Sequence, residues 1–367
     1  MSADLQISLV AVAAGVACAL VGVFLVLRRM AMMADAISHS ILPGIVAGYV
    51  LAHGPNLLLG FLGATASGLL TVVLVEALSK GKLRQDAAIG LVFPILFALG
   101  VLVVSKYFAN VHIDTDAVLY GEIAFAPFDT VNVAGRDIGP KSFWVLAVLA
   151  IVNTGFIAVL YKELKLATFD PGLAASLGFR PALLHYLLMA LVAVTTVGAF
   201  SAVGAILSVA LIIVPPVVAS LLTERLPRMI ALSVAVGALG AVLGHRVAAW
   251  SNVSISGMIA TVLGILFGGA LLFAPGRGLI AQWSRRRAQK VRFATEMLLV
   301  HLATHQETAA RDIECSLPHL ESELGWDREV AARIVGRAER LGLLEREESL
   351  LSLTEAGLRQ AYLAAER

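Results

Sequence analysis

Just after its first long apolar run the chain reads RRMAMMADAISHS, residues 28–40, which sets a carboxylate, Asp35, and an imidazole, His39, at the edge of what should be lipid. Four residues apart, the two share one face of any helix that covers both, with Cβ atoms roughly 6 Å apart. An oxygen and a nitrogen donor so placed can hold one divalent cation, and the pair suits manganese, iron or zinc. Two ligands do not close a coordination shell. A second copy of the pair across a twofold axis, waters or a third residue has to complete it. The other reading of the same residues is structural: Asp35 caps the second span and His39 hydrogen-bonds to it near the headgroups. Spacing alone does not choose between them.

Ionisable groups inside a spanning helix cost at least about 2.5–3.5 kcal/mol on insertion scales, so each one in an apolar run needs a reason. Glu76 lies near the end of a run and reads as snorkelling, while His185 and His245 stand singly and read as satisfied structural side chains. HIDTD, residues 112–116, supplies His112, Asp114 and Asp116 to a polar loop and reads as solvated. Near the C-terminus His301/His305 and Cys315/His319 are two further i, i+4 pairs, open to a metal-sensing site or to ordinary surface and core placement.

The elements that must position these groups follow from composition. Of 367 residues, 59 % are apolar and 15 % charged, and the mean hydropathy is +0.86, which marks an integral membrane protein. Apolar runs such as 7–27 and 57–78 reach the roughly 20 residues a spanning helix needs, and without dyad alternation they exclude a barrel. Apolar runs and polar breaks predict about nine transmembrane helices, near 7–27, 37–52, 57–79, 88–105, 143–161, 181–201, 203–222, 229–250 and 255–274. The short second span and the break between Gly198 and Gly204 are the least defined parts of that pattern. Arg28/Arg29, Lys80/Lys82/Arg84, Lys162/Lys165/Arg180, Arg225/Arg228 and Arg277 with Arg285–Arg287 fall on one side. The positive-inside bias makes that side cytoplasmic, with the N-terminus outside and the C-terminus inside.

The net charge of +2 is explained by these topology determinants and does not point to nucleic acid. Cys18 and Cys315 lie far apart in regions of different character and predict no intramolecular disulfide. The first apolar run has no basic residues before it and reads as a retained span rather than a cleaved signal. No G-x-x-x-x-G-K-[ST] loop is present, so ATP hydrolysis needs a separate subunit.

A transmembrane domain over 1–276 and a basic linker over 277–292 are expected to lead into a soluble, charged unit over 293–367. Helices over 293–305, 317–324 and 327–341, with Asp327 as N-cap and Gly342 as stop, precede two short strands in 343–354 and a closing helix over 355–364. That order predicts a small cytoplasmic winged helix-turn-helix domain on an all-α polytopic membrane protein. Arg328, Arg333, Arg337 and Arg340 alternate with Glu329 and Glu339 on the third helix, which leaves docking or regulation and DNA binding both open, the former favoured.

RRMAMMADAISHSILPGIVAGYVL, residues 28–51, closely resembles the segment that marks permeases of the metal-uptake ABC transporter family, importers of manganese, zinc or iron. QDAAIGLVFPILFALGVLVVS, LYGEIAF, ELKLATFDPGLAASLGF and VGAILSVALIIVPPVVASLLTERL resemble further family blocks in the expected order. The resemblance covers most of residues 1–275. It implies a permease in the bacterial plasma membrane, paired with a second copy or a paralogue. Two cytoplasmic ATPase subunits and an extracellular or periplasmic metal-binding protein would serve it, and no cofactor would be permanently bound. It also implies that Asp35 and His39 bind the cation in transit, and that Phe169, Asp170, Pro171, Ala174 and Gly178 belong to the element that docks on the ATPase. LYGEIAF leans toward the manganese branch, with zinc second. The tail resembles the DNA-binding module of repressors of the diphtheria-toxin-repressor type, and we expect it to modulate transport.

Overall fold

The computed structural model describes residues 2–54, 56–81, 83–107, 123–133, 136–309, 311–347 and 350–366. The HIDTD loop and residues 119–122 of LYGEIAF lie outside them. The chain divides into two compact units, Met1–Arg277 and Gly278–Arg367.

In the first unit, 9 helices among the described residues are long and apolar enough to cross a membrane. Helix α1 (Ala3–Leu27) is followed by a crossing built from two pieces, α2 (Met32–Ser40) and α3 (Leu42–Ala52), then α4 (Leu57–Ser79), α5 (Gln85–Tyr107) and α6 (Lys141–Val159). Two short helices, α7 (Tyr161–Phe169) and α8 (Pro171–Ser176), precede α9 (Pro181–Val203), α10 (Ala205–Leu222), α11 (Leu226–Ser251) and α12 (Ile255–Phe273). The long segment before α6 carries a 3₁₀ turn (Ile123–Phe128) and an antiparallel hairpin of β1 (Thr130–Val133) and β2 (Arg136–Pro140).

Every span expected from the sequence has its helix, with shifted ends. The second crossing begins at Met32 rather than 37 and breaks at Ile41, because Pro43 has no N–H to continue the ladder. The ill-defined boundary between 198 and 204 falls on Gly204, whose φ of +83° is open to glycine and strained for other residues. The N–H of Gly204 still bonds to the Phe200 carbonyl at 3.0 Å, closing α9 before α10 starts.

Helix α1 is the hub of this unit and packs against α6, α9, α10 and α11. Its run of Ala and Gly permits this, since small residues let helix backbones approach closely in lipid. A methyl group at Gly22 would sit 1.9 Å from the Ile212 carbonyl oxygen, and one at Gly15 2.9 Å from that of Gly237. Asn153, fully buried on α6, spends its amide on the Ala17 carbonyl at 2.9 Å and Thr195 Oγ1 at 3.1 Å, pinning three helices together. His245 is likewise partnered, by Ser8 Oγ at 3.2 Å.

The second unit contains α13 (Leu279–His305), α14 (Arg311–Glu314), α15 (Leu317–Glu323), α16 (Arg328–Arg340), the antiparallel pair β3 (Leu344–Glu347) and β4 (Leu350–Leu353), and α17 (Glu355–Ala365). Its core gathers Leu298, Leu302, Cys315, Leu320, Ile334, Val335, Ala338, Leu344 and Leu351. One expectation is corrected. The stretch 277–292, set aside as a basic linker, is helical from Leu279 and continuous with the helix expected from Phe293. No Gly or Pro interrupts 279–305, and Arg, Lys, Gln and Ala are good helix formers. Asp327 occupies the N-cap position of α16, but its side chain makes no capping bond.

Candidate functional site

Helix α2 buries Met33, Ala34, Ala36, Ile37, Ser38 and Ser40 against its neighbours. The residues it leaves accessible are Met32, Asp35 and His39, a stripe at helical spacing. His39 Nε2 stands 3.5 Å from Asp35 Oδ1, with the side chains 41 % and 34 % exposed. The His39 ring lies 5.9 Å from that of Phe93 on α5. The capping alternative for Asp35 falls away: the N-cap position of α2 is Ala31, and no side chain caps that end. Among the described residues no three His, Cys, Asp or Glu side chains converge as a metal-binding group. A single chain therefore offers two donors here, an oxygen and a nitrogen.

What holds the pair in place is the brace behind the break. Ser67 on α4 donates to the Ser40 carbonyl at 2.6 Å, Ser40 Oγ meets Thr71 Oγ1 at 2.5 Å, and Thr71 donates back to the Ser67 carbonyl at 2.9 Å. All three hydroxyl residues are buried. Just beyond, Gly44 and Gly48 of α3 lie against α4 so closely that added methyl groups would stand 2.0 Å from the Gly63 carbonyl oxygen and 2.3 Å from that of Leu59.

A second polar group, which the sequence did not reveal, lies at the other end of these helices. Arg28 Nη1 bonds to His185 Nδ1 at 3.1 Å, and His185 Nε2 pairs with Glu76 Oε1. Guanidinium can only donate, so Nδ1 accepts and the ring proton sits on Nε2, facing the carboxylate. Arg28 Nε also donates to Thr168 Oγ1 of α7 at 3.1 Å, and Arg28 Nη2 is buried without a hydrogen-bond partner. Glu76 is thus no snorkelling surface group. It balances a cation that ties α1 to α4, α7 and α9. Removing it should cost about 3 kcal/mol, the lower end for breaking a buried pair, since the side chains of Glu76 and His185 are only 15 % and 21 % exposed. Purified Glu76→Ala is expected to melt several degrees below the parent, with Glu76→Gln between them. An unshifted melting temperature would show that the pair carries no stability.

The segment assigned to ATPase docking forms the α7–α8 corner, and local rules account for most of it. Asp170 is the N-cap of α8, its carboxylate accepting from the Leu173 N–H at 2.9 Å, and Pro171 follows at the first helical position. At the far end Gly178 turns the chain at φ +85°, and the bonds Gly178 N to Ala175 O and Phe179 N to Ala174 O, both 3.1 Å, complete a Schellman closure. Ala174 is buried. The most exposed large apolar groups are Phe169, Leu173 and Leu177, at 61 %, 47 % and 61 % exposure and four residues apart.

In the second unit the structure brings three of the four singled-out tail residues together. The His301 ring lies 4.7 Å from His305 and 5.9 Å from His319. Cys315 is fully buried in the core, where desolvation pushes its thiol pKa up and keeps it neutral. Glu314 takes its place beside the rings, with Oε2 2.5 Å from His305 Nδ1.

The family profile described as ABC 3 transport family matches residues 5–274. The chain belongs to this family. It is therefore the membrane-spanning permease subunit of an ABC transporter and not itself an enzyme, the ATPase being a separate subunit. Among ABC 3 members it is 49 % identical over 282 residues to the manganese transport system membrane protein MntD of Bacillus subtilis, covering 77 % of this chain and 96 % of that one. It is 44 % identical over 355 residues to the zinc transport system membrane protein TroD of Treponema pallidum, covering 96 % of each chain. The latter match is too long to leave out the second unit. Among solved structures it is similar to PsaBC from Streptococcus pneumoniae in complex with Fab, with a TM-score of 0.63 and 28 % identity, covering 76 % of this chain and 94 % of that chain.

Proposed function

We propose that this permease of an ABC metal importer carries a divalent transition-metal cation, manganese before zinc or iron, into the bacterial cytoplasm through a site built from Asp35 and His39. The observation that carries the reading is the accessible carboxylate–imidazole stripe of α2 within a membrane crossing. Such a pair belongs against protein or a water-filled path rather than lipid. Two copies, from a homodimer or a paralogue, would offer two oxygens and two nitrogens with room for waters. That set suits an octahedral manganese ion better than the tetrahedral thiolate or imidazole cage of a structural zinc site. The manganese relative, at 49 % identity, supports the same order.

Partner ATPase subunits would dock on the exposed Phe169, Leu173 and Leu177 of the α7–α8 corner, with Asp170, Pro171, Ala174 and Gly178 shaping it. An extracellular or periplasmic binding protein would deliver the ion. ATP binding would then rock the two halves around the site by rigid-body motion. The positive-inside rule puts the corner and the C-terminus in the cytoplasm. The order of elements in the second unit, helices, a hairpin and a closing helix, favours a winged helix-turn-helix that regulates or docks rather than binds DNA. Its α16 carries the Arg333–Glu329 ion pair at 2.8 Å, which spends an arginine internally.

Uptake of radioactive manganese and zinc by cells expressing the permease with its ATPase and binding protein tests this reading. Manganese is expected to enter faster at equal concentration, and Leu173→Asp to abolish uptake of both metals. Faster zinc entry would reverse the metal order. Full uptake with Leu173→Asp would remove the corner from the docking surface.

A further inference from the structure

Three imidazoles from two helices meet in the second unit around one acidic residue, at a place the transport reading does not use. His301 and His305 lie one turn apart on α13, and His319 reaches them from α15. Nothing in packing a small domain calls for three histidines in contact, and when protonated they would repel one another.

Glu314, at the end of α14, engages two of the three rings. Its backbone carbonyl accepts from His301 Nε2 at 3.1 Å, and its carboxylate Oε2 stands 2.5 Å from His305 Nδ1. Each ring therefore has one nitrogen committed to an acceptor, which fixes the proton there and leaves a lone pair on the other. This is the outer-shell arrangement that metal-binding histidines almost always have. Two imidazoles on one tetrahedral ion, with metal–nitrogen bonds of about 2.0–2.1 Å, place their ring centres roughly 5 Å apart. The observed separations, 4.7 and 5.9 Å, bracket that value. The side chains of His305 and Glu314 are 31 % and 28 % exposed, so the group is reachable from solvent.

We propose that His301, His305 and His319, oriented by Glu314, bind a divalent cation of the imidazole-preferring class, Zn²⁺ above Mn²⁺. The donors do not meet at one point among the described residues; binding would require the His319 ring to turn about its side-chain torsions, with water as the fourth ligand. Cys315 is not a ligand, because it is fully buried in the hydrophobic core. The bound ion would tie α13 to α15 across the loop that joins them. Softer nitrogen donors without a fixed oxygen pair disfavour Mn²⁺, so this site would read a metal other than the one the α2 pair is proposed to carry.

The test uses full-length permease carrying Asp35→Ala and His39→Ala, so that cargo binding does not contribute. Titration with Co²⁺ should give the intense visible bands of a four-coordinate ion, saturating at one per chain, and an equal amount of Zn²⁺ should abolish them. Adding His301→Ala and His305→Ala should remove the bands, and Glu314→Gln alone should weaken Co²⁺ binding by about 10–100-fold. Absence of four-coordinate Co²⁺ in the starting variant overturns the proposal, and so does its persistence without the two histidines. Unchanged affinity in Glu314→Gln overturns the orienting role.

Discussion

Cells that express the permease with Asp35→Ala or His39→Ala, together with the partner subunits, should take up metal no faster than cells lacking the permease. The loss should be on the order of a hundredfold, above the effect of removing an outer-shell partner alone. This result would be specific to the site, because neither side chain is part of the buried core. Both lie on the accessible stripe of α2, their one mutual contact is 3.5 Å long, and Asp35 caps nothing. Membrane insertion and yield, measured on the same cells, should equal those of the parent. Wild-type uptake in both variants would remove the pair from the cation pathway.

The second large effect is expected where α3 crosses α4. Gly44→Ala puts a methyl carbon 2.0 Å from the Gly63 carbonyl oxygen and 2.8 Å from Ser67 Cβ. A backbone atom cannot rotate aside, so the helices must part, at a cost beyond the usual 1–3 kcal/mol of overpacking. The first casualty would be the bond from Ser67 to the Ser40 carbonyl, and with it the placement of His39 one residue earlier. Detergent-solubilised Gly44→Ala should lose most of its monodisperse peak on size exclusion and melt well below the parent. Gly60→Ala is the matched control, since a methyl group there meets nothing within 4 Å. Equal behaviour of the two variants would refute the close crossing.

How much of this could be read from the residues depends on the range of the forces involved. Apolar runs locate helices because lipid makes length and hydrophobicity decisive, and so all nine spans were expected, with ends displaced where polar residues such as Asp86 and Lys141 join the first turn. The α8 corner was legible from its local chemistry, Asp170–Pro171 at one end and Gly178 at the other. The partners of Glu76 were not. His185 lies 109 residues away, and Arg28 lies 157 residues from His185, and no periodicity links such positions. In the tail, helical spacing paired His301 with His305, but it paired His319 with Cys315, which faces the core. Adjacency of His319 to His301 depends on the turn through α14, which carries no long apolar pattern to announce it.

The break at Ile41 has an electrical consequence. Ile41 itself keeps a right-handed helical backbone (φ −73°, ψ −21°) and α3 follows at once, so the dipoles of the two pieces run on head to tail and the break leaves inside the membrane a local gap in the ladder rather than a full helix end. Of the last carbonyls of α2, that of Ser40 is taken by the Ser67 hydroxyl, while that of His39 faces a proline in the position of its usual donor. That local polarity belongs to the backbone alone, so it would survive every side-chain substitution that leaves Pro43 in place.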